Sequence, residues 1–164
     1  MKVGILTVSD KGARGEREDR SGPAIREMIE AAGGEVARVK IVPDEREEIR
    51  AALLAWSDEG LDLVLTTGGT GFSPRDGTPE ATKSVIERET PGIPEAMRRA
   101  GAEKTPTAML SRAAAGIRKG TLIINLPGSE KAVRESLAVL LPALPHAIDI
   151  LSGKASECGK PHHG

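Results

Sequence analysis

The stretch TTGGTGFSPRDGTPEAT, residues 66–82, directly follows the apolar run LDLVL, which is typical of a buried strand. It contains four glycines, two prolines and one arginine. A tight turn needs one or two glycines at positive φ, whereas a backbone that closely approaches a bulky anionic ligand needs several residues without a Cβ atom. The stretch therefore predicts a ligand-binding loop between a strand and a helix.

Strands and helices alternate on the N-terminal side of this loop. The runs KVGILTV, VARVKIV and LDLVLTT are short, apolar and rich in β-branched residues, as strands covered on both faces are. A helix is predicted over residues 23–32, with Pro23 at its first position. A second helix is predicted after Asp44, which stands at an N-cap position with Glu47 in capping-box spacing.

The same alternation continues on the C-terminal side. The predicted elements are, in order, a helix capped by Thr78 that runs to about Glu89, a helix from about Pro94, a hairpin around Lys119 and Gly120, and a helix capped by Ser129 that runs through Leu140. This order predicts a three-layer α/β/α fold with a mostly parallel sheet and one antiparallel hairpin strand. We expect a single domain over residues 1–152 and a flexible tail over residues 153–164.

Composition and net charge indicate which classes of binding partner are to be expected. The chain has 164 residues, a net charge of −1, and Trp56 and Phe72 as its aromatic residues. Nucleic-acid binders usually carry a basic surface or a platform of aromatic rings, so we expect no nucleic-acid partner. Cys158 is the one cysteine, and the apolar run near the N-terminus is too short for a signal peptide or a membrane span. We therefore expect a soluble cytoplasmic protein.

The predicted strand ends carry the polar residues. In an open α/β sheet, ligands bind beyond the carboxyl ends of the parallel strands. Four segments should meet there, namely SDKGARGEREDRSGP, PDE, GGTGFSPRDGTPE and LPGS. Neither a dinucleotide-binding G-x-G-x-x-G nor a P-loop is present. The residues Gly68, Gly69, Thr70 and Gly71 could instead offer backbone amides to an anion, although a purely structural turn is an equally good reading of this tetrapeptide alone.

Two carboxylates at these strand ends are candidate Mg²⁺ ligands. Asp44 follows the second strand and Asp76 lies in the glycine-rich loop. Mg²⁺ prefers oxygen ligands and commonly shares substrate phosphates with one or two acidic residues. The alternatives are that Asp44 only caps a helix and that Asp76 only forms a turn. Glu80, in the first turn of the following helix, could assist or could merely favour the helix dipole.

Six ordered blocks of the sequence resemble one known family. They are LTVSDKGARGEREDRSGP, VPDE, DLVLTTGGTGFSPRDGTPEAT, PGIPEAMR, AMLSRAAAGIR and TLIINLPGS, and the resemblance as a whole extends from Lys2 to about Leu151. The family is that of the molybdenum-cofactor biosynthesis proteins of the MogA/MoaB type, which is also similar to the G domain of gephyrin. The resemblance implies molybdopterin adenylyltransferase activity, in which AMP passes from Mg-ATP to the terminal phosphate of molybdopterin.

The resemblance also implies roles for individual residues. It makes Asp44 and Asp76 the catalytic and Mg²⁺-binding pair. It assigns substrate binding to three loops and to the polar residues beside them, namely Ser9, Asp10, Gly68, Gly69, Thr70, Gly71, Glu80, Ser111, Arg112, Pro127, Gly128 and Ser129. Two positions depart from the family pattern, because Gly77 replaces a usual apolar residue and Glu130 replaces a usual proline.

The family further implies a homotrimer and a possible hand-over of product to the molybdenum insertase. Met97, Met109 and Leu110 are candidates for burial between subunits. Two other functions remain open at this point: a MoaB-like protein that binds pterin or nucleotide without efficient adenylyl transfer, and a nucleotide pyrophosphatase of the CinA type. A metal site formed by Cys158 and His146 with His162 and His163 is not favoured, because their spacing is unlike that of structural zinc motifs.

Overall fold

The computed structural model describes residues 1–154, in which helices cover both faces of a six-stranded sheet. The strands are β1 (Lys2–Val8), β2 (Glu35–Val42), β3 (Leu63–Thr67), β4 (Arg88–Glu89), β5 (Ala115–Arg118) and β6 (Thr121–Leu126). The helices are α1 (Asp10–Ala13), α2 (Ser21–Ala31), α3 (Arg46–Glu59), α4 (Thr78–Val85), α5 (Gly92–Ala102), α6 (Glu130–Leu140) and α7 (Leu144–Leu151), with a 3-10 helix at Pro106–Leu110.

The sheet has the order β2-β1-β3-β6-β5-β4. Strands β2, β1, β3 and β6 are parallel, whereas β5 pairs antiparallel with both β6 and β4. The predicted hairpin is confirmed, and Lys119 adopts a φ of 52° in its turn. The chain runs outward in opposite directions from β1, to β2 on one side and to β3 on the other. This reversal opens a crevice beyond the carboxyl ends of the strands.

Alternation along the central strands divides the core between the two faces of the sheet. Ile5 and Leu65 point to the face covered by α2, α5, α6 and α7. Leu6 and Val64 point to the opposite face, which is covered by α3 and α4. Because every second side chain of a covered strand is buried on each face, both kinds of position are apolar. The predicted three-layer α/β/α architecture is confirmed.

Two predicted helix caps are wrong. Glu45, rather than Asp44, precedes α3, and no side-chain hydrogen bond caps that helix. Thr78 is the first residue of α4 rather than its cap, and its hydroxyl donates to the carbonyl oxygen of Gly68 at 2.9 Å. Thr78 therefore binds the glycine-rich loop, and the Asp44 side chain accepts a hydrogen bond from Asp10 instead of capping α3. Local spacing in the sequence reveals neither contact.

Helix α4 ends at Val85, four residues before the predicted end at Glu89. Ile86 has an extended backbone, with φ −73° and ψ 146°. The amide of Glu87 then donates to the carbonyl oxygen of Ile117 at 2.8 Å. The chain leaves the helix at this point because its backbone groups pair with β5, which creates the unpredicted strand β4.

Helix α2 begins at Ser21, two residues before the predicted start. The carboxylate of Asp19 accepts hydrogen bonds from the amides of Ser21 and Gly22, at 3.1 and 3.0 Å. These bonds satisfy amides that the first turn of a helix leaves without intrahelical partners. The loop before α2 also contains an unpredicted short helix, α1, which Ser9 caps through a hydrogen bond from Gly12.

The three residues proposed for a subunit interface differ in exposure. Met97 is 6% exposed and packs in the core of its own chain, so the prediction that it lies between subunits is wrong. Met109 and Leu110 are 69% and 44% exposed. Among residues 1–154, no helix is both long enough and apolar enough to cross a membrane. The predicted flexible tail lies outside the described residues, apart from Gly153 and Lys154, as do Cys158, His162 and His163.

Candidate active site

A cleft of about 750 Å³ opens beyond the carboxyl ends of β1, β2, β3 and β6. Its walls come from the loops that follow these four strands, as the sequence predicted. Seven of the predicted site residues line it, namely Ser9, Asp44, Gly68, Gly69, Asp76, Gly128 and Ser129. Thr67 and Asp19, together with Arg17 and Arg20, also line it, and sequence reasoning singled out none of these four.

The glycine-rich loop needs glycine at Gly68 and Gly69. These residues have φ values of 95° and 70°, a backbone conformation that other residues rarely adopt. A Cβ on Gly68 would lie 2.3 Å from the carbonyl oxygen of Val8. A Cβ on Gly69 would lie 2.2 Å from the Thr78 hydroxyl and 3.3 Å from a carboxylate oxygen of Asp44. The loop therefore packs tightly against β1, α4 and the predicted catalytic carboxylate.

The loop after β6 is fixed by hydroxyl groups from the end of β3 and the start of α2. The Ser21 hydroxyl donates to the carbonyl oxygen of Gly128 at 2.7 Å, and the Thr67 hydroxyl donates to that of Pro127 at 2.6 Å. Ser129 caps α6 by accepting a hydrogen bond from Ala132 at 3.2 Å, which confirms its predicted capping role. These bonds hold the LPGS segment against the glycine-rich loop.

Asp44 is partly buried at the base of the cleft. Its Oδ2 accepts a hydrogen bond from the amide of Asp10 at 2.9 Å, and its own amide donates to Asp10 Oδ1 at 2.9 Å. Burial raises the pKa of the Asp44 carboxyl, and the neighbouring charges of Asp10 and Asp76 raise it further. A cation at this position would relieve both effects.

Asp76 lies in a turn of the glycine-rich loop. Its Oδ2 accepts a hydrogen bond from the amide of Ser73 at 3.0 Å, and its amide donates to the Ser73 carbonyl oxygen at 2.9 Å. The carboxylate therefore forms the turn and also faces the cleft that Asp44 lines. Two carboxylates suit Mg²⁺, which takes its remaining ligands from water and substrate phosphates. Within the described residues, no cluster of three or more Asp, Glu, His or Cys side chains has a metal-binding arrangement.

Arg112 is bound to the glycine-rich loop. Its guanidinium donates to the carbonyl oxygens of Gly71, at 2.8 Å, and Asp76, at 2.9 Å, and it forms an ion pair with Glu80. Burial opposes ionisation of Glu80, but Arg112 outweighs this effect and the pKa of Glu80 is lowered. In the described residues the second oxygen of Glu80 is buried without a hydrogen-bond partner. Neither side chain lines the cleft, so their predicted role in binding substrate remains a prediction.

A second cavity, of about 700 Å³, lies on the other side of the glycine-rich loop. Four further predicted loop residues line it, namely Thr70, Gly71, Ser111 and Pro127, and it shares Ser129 with the cleft. Lys104 and Lys131 contribute positive charge to its wall and Glu103 and Glu135 contribute negative charge, with Lys104 and Glu135 paired at 3.5 Å. Leu110 and Val139 contribute apolar surface. Most of the predicted substrate-binding residues are therefore divided between two adjacent cavities, whereas Asp10, Glu80 and Arg112 line neither.

The carboxylate of Asp10 accepts hydrogen bonds from Arg75 and from the Asp44 amide. Arg75 donates to its two carboxylate oxygens at 3.1 and 2.9 Å, and these bonds, together with the one from the Asp44 amide, lower the pKa of Asp10. Arg75 and Asp19 are polar contributors to the site that sequence reasoning missed. The signals available were an arginine beside Asp76 and an aspartate two residues before a helix start.

A polar cleft at the switch point of an open, mostly parallel sheet defines a ligand-binding α/β protein. Residues 4–146 match the family model described as "Probable molybdopterin binding domain", and the chain belongs to this family. It is 46% identical to the molybdopterin adenylyltransferase of Helicobacter pylori over 93% of this chain and 89% of that protein. It is 48% identical to gephyrin of Dictyostelium discoideum over 93% of this chain, but it spans only 23% of gephyrin.

Solved structures give the same assignment. The molybdopterin biosynthesis enzyme MoaB from Thermus thermophilus superposes with a TM-score of 0.88 and 57% identity. The match covers 93% of this chain and 96% of the MoaB chain. Fold, sequence blocks and the loops around the cleft therefore agree on membership of the molybdenum-cofactor biosynthesis family.

Proposed function

We propose that this chain is a molybdopterin adenylyltransferase. It would transfer AMP from Mg-ATP to the terminal phosphate of molybdopterin and release pyrophosphate. The observation that carries the proposal is the pair of adjacent cavities on either side of the glycine-rich loop, with Asp44 and Asp76 lining one of them. A transfer reaction needs two substrates side by side, and a loop with glycine at three of its four positions from 68 to 71 lets both approach the same backbone.

The chemistry fits the residues of the cleft. An oxygen of the pterin phosphate attacks the α-phosphorus of ATP, and the bond between that phosphorus and the oxygen bridging to the β-phosphate breaks, so pyrophosphate leaves with the electron pair. Catalysis of this step consists mainly of alignment and charge neutralisation. Asp44 and Asp76 would hold Mg²⁺, which supplies positive charge to the phosphates. Arg17 and Arg20 also line the cleft and offer positive charge, beside the acidic Glu18, Asp19 and Glu130.

We assign the cleft, which Asp44 and Asp76 line, to the nucleotide and the second cavity to the pterin. The nucleotide phosphates need a metal, which carboxylates such as Asp44 and Asp76 can hold. The second cavity combines apolar surface for a pterin ring with Lys104 and Lys131 for its phosphate. Thr70 and Gly71 would contact the pterin, while Gly68 and Gly69 would contact the nucleotide.

Pyrophosphate release separates this proposal from the alternative of binding without transfer. Purified protein with Mg-ATP and molybdopterin should release one pyrophosphate per pterin consumed, and ATP without pterin should give none. Tight binding of pterin without pyrophosphate release would support a binding module instead. Pyrophosphate release that needs no pterin would indicate a nucleotide pyrophosphatase.

We further propose that the enzyme is a homotrimer in the cytoplasm and that its product passes to the molybdenum insertase. The exposed Met109 and Leu110 support a subunit contact, because adjacent apolar side chains at the surface can form part of a protein–protein interaction site. The single cysteine allows no disulfide within the chain, which suits a reducing compartment. Support for the hand-over is that gephyrin carries a matching domain within a much longer chain.

A further inference from the structure

The two proposed Mg²⁺ ligands come from strands that are not neighbours. Asp44 follows β2 and Asp76 belongs to the loop after β3, but β1 lies between these strands. Adjacent strands are about 4.8 Å apart, so the ends of β2 and β3 are separated by about 10 Å. A shared metal needs a fixed distance between the two carboxylates. Hydrogen bonds within the sheet cannot set this distance, because both residues lie beyond the ends of the strands.

Arg75 connects all three loops. It precedes Asp76 in the chain, and its guanidinium reaches back to Asp10, in the loop after β1, through bonds of 3.1 and 2.9 Å. The same guanidinium donates to Glu45, in the loop after β2, at 2.9 Å. A planar guanidinium that donates two parallel hydrogen bonds to one carboxylate fixes orientation as well as distance.

The link continues from Asp10 to Asp44. The amide of Asp10 donates to Asp44 Oδ2, and the amide of Asp44 donates to Asp10 Oδ1, each at 2.9 Å. The Asp10 carboxylate is therefore held between Arg75 and the Asp44 backbone. Through these bonds, the orientation of the Asp44 carboxylate depends on the position of a residue adjacent to Asp76.

We propose that Arg75 is a positioning residue that sets the separation of Asp44 and Asp76 through Asp10. This inference rests on the proposed function. It differs from the role that the family resemblance implies for Asp10, because the Asp10 carboxylate serves Arg75 and Asp44 rather than the substrate. The side chain of Arg75 is 52% exposed, and exposed ion pairs contribute little to folding stability. The arginine therefore acts on the geometry of the cleft and not on the stability of the fold.

Binding of Mn²⁺ together with a non-hydrolysable ATP analogue tests this proposal, with bound Mn²⁺ measured by electron paramagnetic resonance. Partners that orient metal ligands typically change metal affinity by about 10- to 100-fold when removed. We expect Arg75→Ala to weaken Mn²⁺ affinity by about 10-fold and to lower kcat, with the KM for pterin unchanged. Asp10→Asn keeps the hydrogen bond from the backbone amide of residue 10 to Asp44 but removes the carboxylate charge that pairs with Arg75. It should therefore weaken Mn²⁺ affinity to a similar extent. The double variant should bind Mn²⁺ no more weakly than either single variant does.

Control variants test whether Arg75 affects Mn²⁺ affinity through Asp10. Glu45→Gln removes only the carboxylate charge that forms the other ion pair of Arg75. Arg26→Ala removes an exposed arginine that pairs with Glu30 on α2. Both should bind Mn²⁺ as the wild type does. A loss in Glu45→Gln as large as that in Arg75→Ala would overturn the assignment of Asp10 as the link. Arg75→Lys, which cannot donate two parallel bonds, should recover only part of the affinity.

Nucleotide binding without metal distinguishes positioning from direct contact. With EDTA present, Arg75→Ala should bind the ATP analogue as the wild type does, and a loss there would show that Arg75 contacts phosphate and would overturn the proposal. Unchanged Mn²⁺ affinity in Arg75→Ala would also overturn it. If the wild type itself bound no Mn²⁺ with the analogue, the proposed function rather than the role of Arg75 would fail.

Discussion

Asp44 is the residue at which stability and function conflict. Burial raises the pKa of its carboxyl, and Asp10 and Asp76 add to the effect. The native state therefore holds this proton more tightly than the unfolded chain does. Between the ordinary aspartate pKa and the raised native value, the native state binds more protons, so stability falls as pH rises through this range.

Asp44→Asn should therefore increase the free energy of unfolding at neutral pH in EDTA. The amide oxygen can still accept the hydrogen bond from Asp10, while the charge that opposes folding is removed. The gain should disappear in acid, below the ordinary aspartate pKa. Urea unfolding of both proteins between about pH 3 and pH 8 measures the difference.

Asp58→Asn provides a control of opposite sign. Lys119 lowers the pKa of Asp58, so its contribution to stability is present above the ordinary aspartate pKa and is lost as pH falls through the lower native value. The Asp58 variant should be slightly less stable than the wild type at neutral pH. A decrease in stability for Asp44→Asn as well would contradict the conflict inferred at Asp44.

Asp76→Asn should lower turnover by about 10² or more, because it removes a charge that positions Mg²⁺. The free energy of unfolding should change by less than about 1 kcal/mol, since the amide oxygen can still accept the hydrogen bond from Ser73. Pyrophosphate release and pterin binding are to be measured on the same preparation. Asp58→Asn should retain full turnover, and near-normal turnover in Asp76→Asn would assign Asp76 to the turn alone.

Residue types and spacing predicted the candidate carboxylates but not their contacts. Asp44 and Asp76 could be identified because each follows a recognisable strand. The bond between Asp44 and Asp10 spans 34 residues, and the ion pair between Arg75 and Asp10 spans 65. No local pattern encodes such pairs, so the sequence could not distinguish a substrate-binding Asp10 from an Asp10 held by Arg75.

At the scale of elements, the glycine-rich loop connects the site to the fold. Gly69→Ala should lower the free energy of unfolding by about 2 kcal/mol or more, because it combines a positive φ with a collision against Thr78. Turnover should also fall, since the new Cβ presses towards Asp44. Denaturant unfolding and pyrophosphate release measure the two effects.

Gly120→Ala is the matched control for this substitution. No atom lies within 4 Å of the position that its Cβ would occupy, so stability should change by no more than about 0.5 kcal/mol. Equal effects at the two glycines would mean that the tight packing of the loop has no energetic consequence.

Element boundaries were predictable where a local signal decides them. The hairpin at Lys119 and the cap at Ser129 were correct because turn and cap chemistry are local. The end of α4 was not predictable, since it depends on pairing between the chain after Ile86 and β5, about 30 residues later in the sequence. The start of α2 was predictable in principle from Asp19, which satisfies the first amides of the helix.

At the scale of the whole molecule, the strand order brings the site together. Alternation of strands and helices predicted a mostly parallel sheet, but it could not place β1 between β2 and β3. That placement positions Asp10 between the two proposed metal ligands. Elsewhere on the surface, the 3-10 helix Pro106–Leu110 leaves Met109 and Leu110 exposed.

We expect a homotrimer in solution, with Met109 and Leu110 in the contact between subunits. Light scattering at micromolar protein should give three times the chain mass of 17.2 kDa. Replacing both residues with glutamate should shift the protein towards monomers, because charged side chains are costly to bury. Val39→Glu, on the exposed edge strand β2, should leave the trimer intact. A monomeric wild type would contradict this expectation.

Transfer of a labelled phosphate tests the central claim most directly. Purified protein is incubated with molybdopterin and Mg-ATP carrying ³²P at either the α- or the γ-phosphate. We predict that the α-label appears on the pterin, that the γ-label appears only in pyrophosphate, and that Asp76→Asn transfers about 10² times more slowly. Appearance of the α-label only in free AMP, or of the γ-label on the pterin, would contradict adenylyl transfer by this chain.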